Sequence, residues 1–158
     1  MSLKPFCLYT ARVKKAALVG FLLITLAACA NKDSFEVLSD GPCTANQKNV
    51  IAGHISSQLQ AFANEDWNKA FTYSSPSFQE TFTLEDFTTI ITSDYSVLVS
   101  NQGYSFGECS ILNEEILQAV EIKLPNSTAD ITYQLSVENT KLGIIAARFS
   151  TPDDFLPA

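Results

Sequence analysis

The sequence is poor in basic residues, in histidine and in long apolar runs. It holds 10 Lys and Arg against 17 Asp and Glu, and one His. No acidic residue precedes Asp33, so residues 29–158 carry all 17 acidic but only six basic side chains, a formal charge of −11. Because nucleic acids and anionic head groups bind to clustered cations, this charge excludes a nucleic-acid function.

Motifs for catalysis and metal binding are absent as well. The chain contains no G-x-S-x-G, no H-E-x-x-H and no phosphate-binding loop. Its single His and its cysteines do not stand at the spacings of metal ligands. We therefore expect neither a metal ion nor another cofactor.

The longest apolar run covers residues 16–28 and is only 13 residues long. A membrane-spanning helix needs about 20 such residues. Four basic residues precede the run, namely Lys4, Arg12, Lys14 and Lys15. A basic start, a short apolar stretch and small residues at its end are typical of a cleavable export signal, here residues 1–28.

The end of this signal, Leu26-Ala27-Ala28-Cys29, resembles the bacterial lipobox. The resemblance implies that the Cys29 thiol receives a diacylglyceryl group, that the chain is cleaved before Cys29 and that the new amino group is acylated. Two or three acyl chains hold a protein stably on a bilayer. We expect a lipoprotein anchored to a bacterial cell membrane, on its periplasmic or other extracytoplasmic face.

Two of the four cysteines are left to pair. Cys7 departs with the signal and Cys29 carries lipid, whereas Cys43 and Cys109 remain in an exported chain. Export favours a disulfide between them, which would contribute roughly 3–4 kcal/mol by closing a long loop. Two separate buried thiols are the alternative.

After a polar tether at residues 29–43, the pattern predicts one domain at residues 44–150 and a tail at residues 151–158. Thr44 and Gln47 form a capping box for a first helix. Asn64-Glu65-Asp66 ends this helix and begins a second, Ser75-Pro76 begins a third, and Thr83 with Asp86 begins a fourth.

Beyond Tyr95 the apolar period changes from about 3.6 to 2. The alternation predicts four strands, near residues 104–111, 116–124, 131–137 and 142–149, with Gly107 at a bulge and a turn at Asn113-Glu114. Hairpin spacing makes the sheet antiparallel. Helices followed by a meander indicate an α+β fold with short N-terminal helices packed on the sheet.

The domain resembles a bacterial family, the domain of unknown function 4864. The resemblance lies in "QLQAFANEDWNKAFTYSSPSFQETF", "EDFTTIITSDYSVLV" and "YSFGE", at residues 58–82, 85–99 and 104–108. The family is similar in pattern to the nuclear-transport-factor-two-like cone of the cystatin-like superfamily, which implies a curved four-stranded sheet wrapped around the helices. The chain departs from the family pattern at Leu142-Gly143-Ile144, where an aromatic-x-Ile is usual. No activity is established for the family, so no catalytic residue follows from it.

Cone enzymes use Asp, Tyr and His in an apolar cavity, where burial shifts the pKa of such groups. The candidates in this chain are His54, Tyr73, Asp86, Asp94 and Tyr95. Each also has a structural interpretation: His54 flanks an apolar helix stripe, Asp86 stands at a capping position, Asp94 ends a helix, and the two tyrosines pack beside helices.

Two functions follow as hypotheses. The first is a non-enzymatic module in the cell envelope that binds a partner protein, another envelope component or a small apolar ligand, or that forms a homodimer through its sheet. A sheet-face dimer requires apolar residues on both faces, and strict alternation places Leu142, Ile144 and Ala146 on one face of the last strand and Ile145, Ala147 and Phe149 on the other. The second is an isomerase, dehydratase or hydrolase, which requires a buried, unpaired carboxylate near Tyr or His.

Overall fold

The computed structural model describes residue 35 and residues 38–150. The predicted signal, the predicted lipidation site at Cys29, most of the predicted tether and the predicted tail at residues 151–158 lie outside the described residues. The described part forms an α+β domain, as the sequence predicts, with five helices followed by a long antiparallel meander.

The first helix, α1, spans Ala45–Ala63. The predicted capping box is confirmed, because the Thr44 amide donates to Gln47 Oε1 at 2.8 Å and the Gln47 amide donates to Thr44 Oγ1 at 3.3 Å. Its apolar stripe lies buried, with Ile51, Ile55 and Phe62 fully shielded from solvent. This stripe anchors the helical layer on the sheet.

Four short helices follow. They are α2 at Trp67–Phe71, α3 at Pro76–Thr81, α4 at Leu84–Asp94 and α5 at Ser96–Val99. The predicted starts of α2, α3 and α4 are confirmed by side-chain caps from Asp66, Ser75 and Thr83. Helix α5 was not predicted, since its four residues contain two β-branched valines and too few positions for a helical period.

The sheet has five strands rather than the predicted four. They are β1 at Gly41–Pro42, β2 at Tyr104–Leu112, β3 at Glu115–Lys123, β4 at Thr128–Glu138 and β5 at Lys141–Phe149, and they neighbour one another in that order. The extra strand, β1, pairs with Ile111 and Ser110 of β2. Two residues are too short to show a period, and they fall in the segment that the sequence assigns to the tether.

Two tight turns and a bulge fix the register of the meander. Asn113–Glu114 and Asn139–Thr140 all have positive φ, as two-residue hairpin turns require. The predicted bulge is confirmed, because the register of β2 against β3 shifts between Phe106 and Cys109.

A second bulge makes the predicted alternation of the last strand wrong. Leu142 and Ile144 align with Val137 and Leu135, but after the register shift it is Ala147 and Phe149 that align with Tyr133 and Ile131. Since Leu135, Tyr133 and Ile131 all face the core, Leu142, Ile144, Ala147 and Phe149 share the inner face, and Ala146 and Arg148 lie on the outer one. One inserted residue, invisible to a period-2 pattern, exchanges the two faces.

The helices cover the inner face of the curved sheet, and the outer face is mainly polar. Along β3 the inner residues Ile116, Val120 and Ile122 are buried, whereas Glu121 and Lys123 on the other face are exposed. None of the helices within the described residues is both long enough and apolar enough to cross a membrane.

A disulfide joins Cys43 to Cys109, as predicted from the sequence. Both half-cystines are buried, and the Cys43 amide also donates to the Cys109 carbonyl oxygen at 3.0 Å. The bond therefore fastens the chain just before α1 to strand β2.

Candidate functional site

A half-open pocket of about 240 Å³ lies between α3, α4 and the edge strand β5. All of its lining residues are apolar or aromatic except Gln58 and Ser74. The lining comprises Gln58, Ser74, Phe78, Phe82, Phe87, Ile90, Ile91, Tyr95, Leu98, Ile144, Ile145, Ala146 and Ala147. Such a lining can shield an apolar group from water, and it offers few polar atoms for recognition.

Local capping sets the aromatic wall of the pocket. Ser75 caps α3 and Pro76 takes its first position, which sets the direction of a helix whose inner side carries Phe78. The Phe78 ring packs on Phe82, with centroids 4.6 Å apart, and edge-on against Phe87 of α4, with centroids 6.1 Å apart. The rings hold one another at the pocket surface although α3 has no fully buried residue.

At the other end of α4, Tyr95 and Phe149 stack with centroids 5.9 Å apart and planes 7° from parallel. Phe149 belongs to β5 and is 51% exposed, an unusual position for so large an apolar side chain. Tyr95 lines the pocket directly. The stacked pair therefore forms an exposed aromatic rim.

A close crossing of the chain over β5 lies beside the pocket. The Ile144 amide donates to the Tyr73 carbonyl oxygen and the Ser75 amide donates to the Ile144 carbonyl oxygen, each at 2.9 Å. Gly143 permits this approach, because a Cβ at its position would lie 2.3 Å from the Ser75 Cα. Ser74 is thereby held at the pocket wall, bridged in parallel to Ile144.

The two polar lining residues are engaged by protein groups. Gln58 Nε2 donates to the Ala70 carbonyl oxygen at 3.3 Å. Gln79 Nε2 donates to the Ser74 carbonyl oxygen at 2.7 Å. The first bond joins α1 to α2 and the second joins α3 to the segment before it, so the pocket wall is held in place by the surrounding structure.

The structure brings His54 and Tyr73 together, but outside the pocket lining. His54 Nε2 donates to the Tyr73 carbonyl oxygen at 2.8 Å, and the two rings meet edge to face with centroids 5.2 Å apart. Burial lowers the pKa of His54 and outweighs the hydrogen bond to Tyr73, which raises it. Burial therefore favours the neutral imidazole, which joins α1 to the segment before α3.

The two aspartate candidates lie at opposite ends of α4. Asp86 accepts from the Thr83 amide at 3.0 Å and from the Thr83 hydroxyl at 2.6 Å, and these bonds lower the pKa of its carboxyl group, the hydroxyl bond most. Asp94 is exposed at the last residue of the helix. They stand eight positions apart in the helix, a distance of about 12 Å, and neither lines the pocket.

Of the five candidates, only Tyr95 lines the pocket. No carboxylate and no histidine belongs to the lining, so the pocket lacks the acid–base pair that the enzymatic hypothesis requires. Within residues 38–150 there is also no group of three His, Cys, Asp or Glu side chains that could hold a metal ion.

Sequence reasoning missed two buried polar residues of the inner sheet face. Gln118 Nε2 donates to the carbonyl oxygens of Gly107, Glu108 and Ala119, so it satisfies the backbone opened by the β2 bulge. The Tyr133 hydroxyl is buried without a hydrogen-bond partner among the described residues. Burial raises the pKa of Tyr133, and nearby Tyr104 adds to the rise.

The pocket itself had a signal in the sequence. Phe78 and Phe82 stand four residues apart, and Ile90 and Ile91 follow in the next helix. Such spacings predict the apolar face of a helix, but they do not reveal whether another element covers that face or leaves it open as a pocket wall.

Comparison with known proteins agrees with the resemblance of the domain. A family model described as "Domain of unknown function (DUF4864)" matches residues 44–152, more than half of the chain. No curated protein matches the chain.

Proposed function

Since the chain belongs to the DUF4864 family, whose function is unknown, we propose its function from its own residues: a lipid-anchored binding module of the bacterial envelope. In this proposal the pocket between α3, α4 and β5 receives an apolar group of another molecule. The observation that carries it is the lining, which is apolar everywhere except at Gln58 and Ser74.

The energetics of burial support this use of the pocket. Shielding a Leu- or Phe-sized group from water is worth roughly 1.5–3 kcal/mol. The rings of Phe78 and Phe82 are half-buried already, and Phe149 is half-exposed, so an occupant would also cover apolar surface of the protein. Aromatic residues in such positions are frequent anchors of binding sites.

The enzymatic alternative has less support. Acid–base catalysis needs a titratable group within about 3 Å of the reacting atoms. His54 is engaged with the Tyr73 carbonyl group, and Asp86 with Thr83, away from the pocket lining. We therefore assign binding rather than turnover to the pocket.

A pocket partner is also better supported than a homodimer through the sheet. The outer sheet face pairs Glu121 with Asp130 and Leu117 with Gln134, so acidic and polar side chains interrupt its apolar positions. A dimer interface is typically more apolar at its centre. We extend the fold assignment to the nuclear-transport-factor-two-like cone, which is supported by helices on the inner face of a curved antiparallel sheet.

The anchor is the second part of the proposal. It is supported by the basic start, the 13-residue apolar run and the Leu26-Ala27-Ala28-Cys29 sequence. Cells expressing the wild type should incorporate labelled palmitate into the protein, and the Cys29→Ser variant should incorporate none. Equal labelling of both, or a mature protein that begins elsewhere by mass spectrometry, contradicts the anchor.

The pocket is tested with indole as the probe, on the full-length protein in lipid nanodiscs. Indole should shift the isoleucine methyl resonances of Ile90 and Ile145, and Ile90→Asn should weaken its binding about tenfold or more. Leu117→Asn is the matched control, because Leu117 is a half-buried apolar residue on the outer face. Binding that responds equally to both variants contradicts the assigned pocket.

A further inference from the structure

The pocket adjoins a sheet edge that is only partly covered. Strand β5 is last in the order of the sheet, so one of its sides has no neighbouring strand. Ser74 covers the beginning of this side by bridging Ile144 in parallel. Among the described residues, no strand pairs with the same side of β5 at residues 145–149.

The register shows which backbone groups face outward on that side. The Ser150 amide donates to the Asp130 carbonyl oxygen at 2.8 Å, so Ser150 points toward β4. Because hydrogen-bonded and non-hydrogen-bonded pairs alternate in an antiparallel ladder, Ala147 and Phe149, which align with Tyr133 and Ile131, point their amide and carbonyl groups away from β4. Exposed groups of this kind are a template for an added strand.

The same stretch of β5 forms one wall of the pocket. Ile145, Ala146 and Ala147 line it from the strand side, while Ile90 and Tyr95 line it from α4. A chain laid along the edge would therefore have side chains facing the pocket at every second residue. Backbone pairing with specificity from an adjacent pocket is the mode of peptide recognition by strand addition.

The size of the pocket fits one side chain better than a whole small molecule. Its volume of about 240 Å³ is below the range of roughly 300–1,000 Å³ that is usual for small-molecule sites.

The charges on the elements that line the pocket indicate which side chains can flank the apolar group that binds there. Helices α3 and α4, which line the pocket, carry Glu80, Glu85, Asp86 and Asp94 and no Lys or Arg, and the one cation within residues 145–149 of β5 is Arg148, on the outer face of the sheet. An acidic surface disfavours the carboxylate of a fatty acid and favours cationic side chains beside the bound apolar group.

We propose that the β5 edge at residues 145–149 binds an extended basic polypeptide segment as an added strand, with one large apolar side chain of that segment in the pocket. The inference rests on the proposed function, because it uses the same pocket. It adds the class of the occupant and the way its backbone is held.

A random octapeptide display library, presented to the full-length protein in lipid nanodiscs, tests the occupant. Enriched peptides should carry one Phe, Leu, Ile or Trp flanked by Lys or Arg, and replacing that apolar residue by Ser should weaken binding about tenfold or more. Absence of enrichment, or enrichment of acidic peptides, overturns the proposal.

The added strand is tested on the best selected peptide. Methylating its backbone nitrogens one at a time should weaken binding at alternate positions only, because only every second amide faces β5. Ala147→Pro removes an outward amide of an edge strand, a site where proline is tolerated, and should weaken the peptide about tenfold. A peptide insensitive to every N-methyl group overturns the added strand.

The two proposals fail in different ways. If indole binds with the expected sensitivity to Ile90→Asn but no peptide is selected, the pocket function stands and the strand addition is wrong. If neither indole nor any peptide binds, both are wrong. Two results together contradict a basic occupant. In the first, a fatty acid displaces the peptide, and in the second, changing the Lys residues of the peptide to Glu strengthens its binding.

Discussion

Two buried polar side chains that lie side by side on adjacent strands differ in how their polar atoms are hydrogen-bonded. Gln118 of β3 and Tyr133 of β4 are aligned neighbours. The amide of Gln118 donates to three carbonyl oxygens around the β2 bulge, whereas the Tyr133 hydroxyl has no partner among the described residues. A buried group that has lost its water and gained no partner lowers stability by about 1–3 kcal/mol.

Removing the Tyr133 hydroxyl should therefore not destabilise the domain. We expect Tyr133→Phe to raise the free energy of unfolding by about 1 kcal/mol in urea titrations, because the ring stays and only the unpaired group leaves. The matched variant Gln118→Leu should lower it by about 1–3 kcal/mol, since three carbonyl groups lose their donor. A loss of 1 kcal/mol or more in Tyr133→Phe would contradict the unpaired hydroxyl.

The single histidine gives a clear pH measurement. Burial lowers the pKa of His54, so the midpoint of its NMR titration should lie below 6.5, the ordinary value for histidine. On acidification, His54 of the unfolded chain binds a proton at a higher pH than His54 of the folded chain. The contribution of this histidine to the free energy of unfolding is therefore fully present above pH 6.5 and is lost as the pH falls toward the folded pKa.

His54→Gln is the control for that titration. The glutamine amide still donates a hydrogen bond but does not titrate, so the change in melting temperature between pH 7.5 and 5.5 should shrink relative to wild type. A His54 that titrates above 6.5, or a pH dependence that persists undiminished in the variant, is incompatible with this assignment.

At the scale of elements, the contact between the segment before α3 and strand β5 depends on one missing side chain. Gly143 has only hydrogen where a Cβ would overlap the Ser75 Cα and amide nitrogen at 2.3 and 2.7 Å. These are backbone atoms, which cannot rotate away. The crossing also holds Ser74 against the pocket, so it joins fold stability to the shape of the site.

Gly143→Ala should therefore lower the free energy of unfolding by about 1–3 kcal/mol, the usual cost of overpacking. Gly53→Ala is the matched control, because Gly53 lies exposed in α1 with nothing within 4 Å of its added Cβ. That change should stabilise the protein by about 0.5–1 kcal/mol through helix propensity. Thermal denaturation that shows Gly143→Ala to be destabilised and Gly53→Ala to be stabilised supports the close crossing. Changes in stability of the same sign contradict it.

Elements with strong local signals were predictable from the sequence. The capping boxes of Thr44 and Thr83 and the turn at Asn113–Glu114 stand where residue chemistry places them. Strand β1 and the bulge in β5 were not predictable, because each depends on alignment with a partner strand that a local pattern does not specify. The same is true of helix α5, which is too short to show a period.

At the scale of the whole molecule, the disulfide between Cys43 and Cys109, 66 residues apart in sequence, closes a long loop of the chain. Replacing both cysteines by Ser should lower the free energy of unfolding by about 3–4 kcal/mol, since the unfolded chain regains the freedom of that loop. Reduction of the wild type with dithiothreitol should reproduce the loss. A loss below about 1 kcal/mol in both measurements would show that the loop-entropy account is wrong here.

The candidate site depends on the whole fold, so only its parts could be predicted from the sequence. Tyr95 was a candidate, and the aromatic residues of α3 were visible as apolar positions. Their meeting with Ile145 and Ala147 of β5, more than 40 residues later, depends on the meander that brings the last strand to the edge beside α4. Local periods carry no information on such long-range contacts.

The disulfide also determines how the domain responds to mechanical tension. Tension on the chain ahead of residue 43 crosses only the two paired residues of β1 before it reaches the disulfide. From there it passes directly into β2, which is paired along most of its length with β3. The load bypasses α1 and all the helices that shape the pocket. If the protein is anchored through Cys29 as proposed, tension between that anchor and the sheet would act on the disulfide and β2 and would leave the helices that line the pocket in place.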